Sequence, residues 1–155
     1  MANVKLSSSL EDYLETIALL KRQNGIARVR DIGKLMKVKS SSVTSALTTL
    51  SKLGLAEHER YGRIDLTAEG EAAAAAVLNR HTVLFNFLTD ILNICPETAE
   101  EDACNIEHCV SAETLAKLSK FLEFVKTCSK PGKPECLQMF DRFVETGIRP
   151  ACTGN

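Results

Sequence analysis

The sequence predicts a mainly α-helical chain, with a winged helix-turn-helix at the N-terminal end and an all-helical region after it. Apolar residues recur at helical spacing through most of the chain. Two short helical segments lie on either side of Lys37-Val38-Lys39, and two short strand-like runs follow them at once around a basic tip. A run of alanines from Ala72 to Ala76 then favours a long helix with a narrow profile.

The first helix is capped by Ser8 or Ser9, carries Leu10, Tyr13, Leu14, Ile17 and Leu20 on one face, and ends at Asn24-Gly25. A second, over Val29 to Met36, stops at Lys37. The serines Ser40 to Ser42 open a third, in which Val43, Ala46, Leu47, Leu50 and Leu53 face inward and Gly54 ends the run. Leu55 to Glu59 and Ile64 to Leu66 alternate as strands around Arg60, Tyr61, Gly62 and Arg63, which form the tip of a wing. Thr67 caps the alanine-rich helix, expected to run to about Asn93, and Pro96 closes that segment. Helices are then expected over Glu97 to Cys109, after Ser111 with Leu115, Leu118, Phe121, Leu122 and Val125 as its apolar face, and over Leu137 to Glu145 beyond a Pro/Gly/Lys linker.

A chain of 155 residues, 45% hydrophobic and 25% charged, is long enough to bury a core or two small ones. The formal net charge of -1 excludes binding to polyanions through bulk charge, so contact with nucleic acid must come from local clustering. Basic residues are indeed dense from Lys21 to Arg63, whereas Glu97 to Asp102 is acidic. No window approaches the roughly 20 apolar residues that span a bilayer, and the N-terminus has no signal-like apolar run, so a cytoplasmic protein with no membrane partner is expected. Six cysteines without a secretory signal point away from a disulfide framework, and the lack of CxxC spacing points away from a zinc knuckle. Cys128, Cys136 and Cys152 read as buried or free thiols. No arrangement of nucleophile, base and oxyanion donors is visible, so an enzyme is not expected.

The third helix presents Ser41, Ser42, Thr44, Ser45 and Thr48 on its polar face. Short hydroxyl side chains allow close approach to a DNA groove, and Arg28, Lys37, Lys39, Arg60, Tyr61 and Arg63 supply cations and a ring around them. CNIEHC, from Cys104 to Cys109, places a thiol one helical turn before a carboxylate and an imidazole, Glu107 and His108. Thiolate, imidazole and carboxylate together suit a divalent first-row metal ion. His81 on the preceding helix, and Asp12 and Glu15 on the first, are further donors that a compact helical packing can bring to the same place. The apolar surface of the C-terminal helices exceeds what so few residues can cover, which implies a partner subunit.

SLEDYLETI, RVRDIGKLMKVKSSSVTSALTTLSKLGLAEHERYGRIDLTAEG, NRHTVLFNFL and DACNIEHCVS, in unbroken order over about residues 8 to 127, resemble the DtxR/MntR family of metal-dependent transcriptional repressors. The resemblance implies a winged-helix domain over 1–70, a helical metal-binding and dimerisation domain over 71–127, and a cysteine-containing tail over 128–155 without the SH3-like third domain of some members. It implies a cytoplasmic homodimer that binds double-stranded palindromic operators when loaded with metal, and no small organic ligand. Asp12 and Glu15 match carboxylate ligands of the manganese-type branch, and His81, Glu107 and His108 match ligands of both branches. Cys104 stands where the iron-type branch has Cys and the manganese-type branch has Glu. Phe85 replaces a glutamate of the ancillary site, leaving Glu100 as an additional donor. This mixed set favours Fe(II) over Mn(II), with Zn(II) or Co(II) able to bind in vitro. A rival reading is a metal-independent winged-helix regulator that senses a small molecule or redox state.

Overall fold

The computed structural model describes residues 6–58, 62–127 and 134–149. Its elements are α1 (Ser8–Asn24), β1 (Ala27–Arg28), α2 (Val29–Leu35), α3 (Ser40–Lys52), β2 (Ala56–His58), β3 (Arg63–Leu66), α4 (Ala68–Asn86), a π-helical turn (Phe87–Ile91), α5 (Pro96–Ile106), α6 (Ala112–Lys126) and α7 (Glu135–Thr146). They form two compact units that divide between Arg80 and His81. No helix among the described residues is long and apolar enough to cross a membrane.

The first unit is a winged helix-turn-helix. The Ser7 hydroxyl caps α1 by accepting from the Leu10 amide, one residue earlier than the expected cap, and Gly25 ends the helix at φ 72°. Tyr13, Leu14, Ile17 and Leu20 of α1 pack against Ile32 of α2 and Val43, Leu47 and Leu50 of α3. Leu14, Ile17, Ile32, Val43 and Leu50 are fully buried, each contributing about 1.5–3 kcal/mol by the usual transfer scale. The turn between α2 and α3 is tight. Lys37 takes φ 56°, the Val38 amide donates to the Gly33 carbonyl at 2.9 Å, and a side chain on Gly33 would press on the Val38 carbonyl. Lys39, not a serine, occupies the N-cap of α3, so the serine run forms the first helical turn. Leu53, expected inside, is exposed, because it follows the last helical turn as the C-cap.

The wing strands pair as expected, but β3 also pairs on its other edge with β1, giving the order β1-β3-β2. Only two residues long, β1 carries no alternation that could mark it in the sequence. Thr67 ties the wing to α4: its hydroxyl donates to the Gly54 carbonyl at 2.7 Å, accepts from the Gly70 amide at 3.0 Å, and its own amide donates to the Leu55 carbonyl.

An ion network crosses this region. Arg63 Nε contacts Asp65 at 2.7 Å, and Lys21 Nζ contacts Asp65 at 3.3 Å and Glu71 at 3.0 Å. The Arg63 guanidinium, followed by Lys21, holds the Asp65 carboxyl below its ordinary range against the opposing effect of burial. Glu71, followed by Asp65, holds the Lys21 ammonium above its ordinary range. Asp65 therefore stabilises the fold fully above the unfolded carboxylate pKa of about 4 and loses that effect as pH falls through its lowered folded value. Lys21 stabilises below about 10.5 and loses its effect as pH rises through the raised value. Partial exposure limits the gain, so Asp65→Asn is expected to cost at most about 1 kcal/mol at pH 7. In urea melts, its gap from the parent should close at acid pH; a gap of equal size at pH 7 and in acid would rule out the ion pairs as its source.

In the second unit, Val83, Ile91, Leu122 and Leu137 form a small core, with Phe87, Leu115, Leu118 and Val125 packed around it. The alanine-rich helix does not run to Asn93 as one α-helix: it widens at Phe87–Ile91, where the Leu92 amide reaches back to the Phe87 carbonyl. Pro96 opens α5 at its first turn, and Ser111 caps α6 by accepting from the Thr114 amide. Phe121, Phe124, Phe143, Val144 and Ile148 are exposed.

Candidate metal centre and nucleic-acid interface

Ala99 and Ala103 bury one face of α5, which leaves Cys104 exposed on the next position. The helix ends at Ile106, with Glu107 as C-cap in helical conformation and its amide donating to the Ala103 carbonyl at 3.0 Å. The i, i+3 relation of Cys104 to Glu107 therefore survives, while His108 lies in the turn beyond. The Glu107 side chain has no exposed surface. One oxygen lies 3.0 Å from His81 Nδ1 and the other 3.4 Å from His108 Nε2. His81 Nε2 meets Glu100 at 3.3 Å, and Phe85, one turn further along α4, stacks on the His81 ring with 13° between planes.

Ligand atoms of His81, Cys104 and Glu107 all lie within 4.8 Å of one another. The donor set fits a metal ion: a soft sulfur, imidazole nitrogens and a carboxylate removed from water, beside which a positive charge is favourable. The two ring nitrogens of His81 face two carboxylates, a position in which a metal ion can take the place of a proton.

Asp12 and Glu15, the remaining predicted ligands, lie half-buried on α1 in the first unit, and each has a polar partner. Sequence reasoning missed their neighbour Glu11, whose carboxylate holds Arg80 at 2.6 Å. The pair joins α1 to α4 immediately before His81. No pattern connects residues this far apart in sequence, so only the fold reveals it.

Elsewhere in the first unit, Ser41, Ser42, Thr44, Ser45 and Thr48 are all exposed along α3, as predicted from their spacing. Arg28, Lys37, Lys39 and Arg63 are exposed nearby in the chain, and the first turn of α3 contains no acidic side chain. Arg63 is engaged with Asp65. Arg60 and Tyr61 lie outside the described residues, as do Cys128 and Cys152.

Residues 5–64 match the model of the iron-dependent repressor N-terminal DNA-binding domain, and residues 67–136 match that of the iron-dependent repressor metal-binding and dimerisation domain. The chain belongs to the iron-dependent repressor family. An uncharacterised HTH-type transcriptional regulator of Methanocaldococcus jannaschii is 38% identical over 122 residues, which cover 78% of this chain and 98% of that one. The transcriptional regulator MntR of Escherichia coli O6:H1 is 38% identical over 114 residues, 74% of this chain and 73% of its own. Among solved structures, IdeR of T. acidophilum superposes with a TM-score of 0.67 at 30% identity, over 73% of this chain and 53% of that one. The manganese regulator SloR gives 0.67 at 27% identity, over 80% and 58%. The chain thus spans little more than half the length of these two solved proteins.

Proposed function

We propose that this member of the iron-dependent repressor family is a metal-dependent transcriptional repressor of metal homeostasis, which binds operator DNA as a homodimer in the cytoplasm. The observation that carries the reading is the buried Glu107 carboxylate, set between two imidazoles with the Cys104 thiol beside them. The helix-turn-helix with an acid-free, hydroxyl-faced α3 supports DNA as the partner. Exposed Phe121, Phe124, Phe143 and Val144 on α6 and α7 support a second copy of the chain as the other, and a two-fold dimer would address a palindromic site. The division of labour is read as 1–70 for DNA, 71–127 for metal and dimerisation, and 128–155 as a tail. Catalysis has no part in it.

The residues that would hold the metal are Asp12, Glu15, His81, Cys104, Glu107 and His108, with Glu100 as an additional donor. When bound, a divalent ion supplies the positive charge that lets these carboxylates and the thiolate converge. Family resemblance and their half-buried place on α1 support including Asp12 and Glu15, which couple the DNA-reading residues to the metal set. Metal then raises affinity for DNA by the same factor as DNA raises affinity for metal.

Cys104 inclines the set toward Fe(II) over Mn(II), and the oxygen donors keep Mn(II) effective. Cys104→Glu exchanges a soft ligand for a hard one, so it is expected to weaken Zn(II) binding by at least about tenfold, the low end of what even an outer partner of a metal site is worth, while Mn(II) binding changes little. Competition with a chromogenic chelator reads both. Equal losses for the two metals would exclude the thiol as the source of selectivity.

Fluorescence anisotropy of a labelled duplex from upstream of this protein's own gene tests the function, under anaerobic conditions at fixed salt, in chelator and then in Fe(II), Mn(II) or Zn(II). Affinity that rises with metal is the expected result. Tight binding unchanged by chelator would mark a metal-independent regulator.

A further inference from the structure

Between Ser40 and Ser51, α3 contains no Arg, Lys, Asn, Gln, Asp, Glu or His. It therefore lacks the side chains that make two-pronged contacts with bases, namely Arg or Lys to guanine, Asn or Gln to adenine, and Asp or Glu to cytosine. What it presents to solvent is hydroxyl and methyl groups, and the structure divides the hydroxyls into two kinds.

Thr44 Oγ1 donates to the Ser40 carbonyl at 2.9 Å, Thr48 Oγ1 to the Thr44 carbonyl at 2.8 Å, and Thr49 Oγ1 to the Ser45 carbonyl at 3.2 Å. A hydroxyl has one proton to give. With that proton turned back onto the helix, each threonine offers an approaching base only oxygen lone pairs and its γ-methyl. The side chains of Ser41, Ser42 and Ser45 make no such bond among the described residues, so their protons remain available to phosphate oxygens. Thr44 and Thr48 are one helical turn apart and both exposed, forming a short strip of methyls and acceptors along the helix.

Building on the DNA-binding reading above, we propose that Thr44 and Thr48 are specificity-determining residues that select thymine C5-methyls and the exocyclic amino groups of adenine or cytosine, and discriminate against guanine, whose major-groove edge offers only acceptors. The serines beside them anchor the backbone without reading sequence. Both kinds of pair offer an amino group there, but only A·T also carries the C5-methyl, so the segment of operator beneath α3 is rich in A·T pairs.

The test uses the full chain loaded with Mn(II). Sequences are enriched from a random duplex pool, and the enriched duplex is then scanned with deoxyuridine in place of thymidine and 7-deazaguanine in place of guanine. Loss of a thymine methyl contacted by Thr44 or Thr48 should weaken binding by about fourfold, the worth of one buried methyl group. Thr44→Ser and Thr48→Ser, which keep the hydroxyl and drop the methyl, should each bind the thymine duplex about fourfold more weakly and show no further loss on deoxyuridine at the matching position. Deoxyuridine without effect at every position overturns the proposal. So does a loss on removing guanine N7 that disappears in Thr44→Val or Thr48→Val, which drop the hydroxyl and keep the methyl. Failure to enrich any sequence, with or without metal, overturns it together with the DNA-binding reading on which it rests.

Discussion

Glu107→Gln is expected to remove metal-dependent DNA binding while leaving the fold in place. The amide has the carboxylate's shape and fills the same fully buried space. It lacks the negative charge that a metal ion in the proposed site would need from this carboxylate, whose oxygens lie 3.0 Å from His81 Nδ1 and 3.4 Å from His108 Nε2. In anisotropy titrations the variant should bind operator in Mn(II) or Fe(II) no better than the parent does in chelator. Metal affinity should fall by at least about a hundredfold, beyond the tenfold to hundredfold typical of outer partners of a metal site. Helical circular dichroism should match the parent's. A variant activated by metal like the parent would take Glu107 out of the ligand set and leave its burial as a purely structural matter.

Gly70→Ala should be the most damaging small substitution in the first unit. Gly70 sits in the first turn of α4, buried against the wing, and a Cβ placed on it would lie 1.8 Å from the Leu55 carbonyl oxygen and 2.9 Å from its carbon. Backbone cannot swing aside as a side chain can. To make room, α4 must lift from Leu55, which strains the Thr67 amide bond to Leu55 and the Thr67 hydroxyl bond to Gly54. Overpacking together with two weakened hydrogen bonds suggests a loss of about 3 kcal/mol and a fall in Tm of at least about 10 °C. Gly25→Ala is the control: Gly25 has φ +72° with open space around it, so only the left-handed backbone is penalised, at about 1–2 kcal/mol. Calorimetry that finds the two variants equally stable would show that the close approach at Gly70 relaxes freely.

How much of this is legible in the sequence depends on the range of the interactions. Helical spacing marked Tyr13, Leu14, Ile17 and Leu20 as inward, and all are buried. The polar face of α3 was likewise visible, because its period is local. CNIEHC announced Cys104 and Glu107 as a pair, but nothing local in the sequence told which was deep: the structure buries Glu107 and exposes Cys104. Leu53 misled because it continues the apolar period one step past the helix, where the chain has already turned. β1 was missed because two residues carry no alternation, and the Glu11–Arg80 pair because its partners are 69 positions apart.

The widened turn at Phe87–Ile91 has a consequence for comparing relatives. Four residues of α-helix overshoot one revolution by about 40°, so Val83, Phe87 and Ile91 would drift around a regular helix. The looser turn takes more residues per revolution and rewinds that drift, which lets Val83 and Ile91 line one core. Such a turn is in effect one inserted residue. A homologue that carries an unbroken α-helix here would align correctly only with a single gap inside this stretch, although both sequences read as helix throughout. Ungapped comparison would then pair every later position, Cys104 and Glu107 included, with its neighbour.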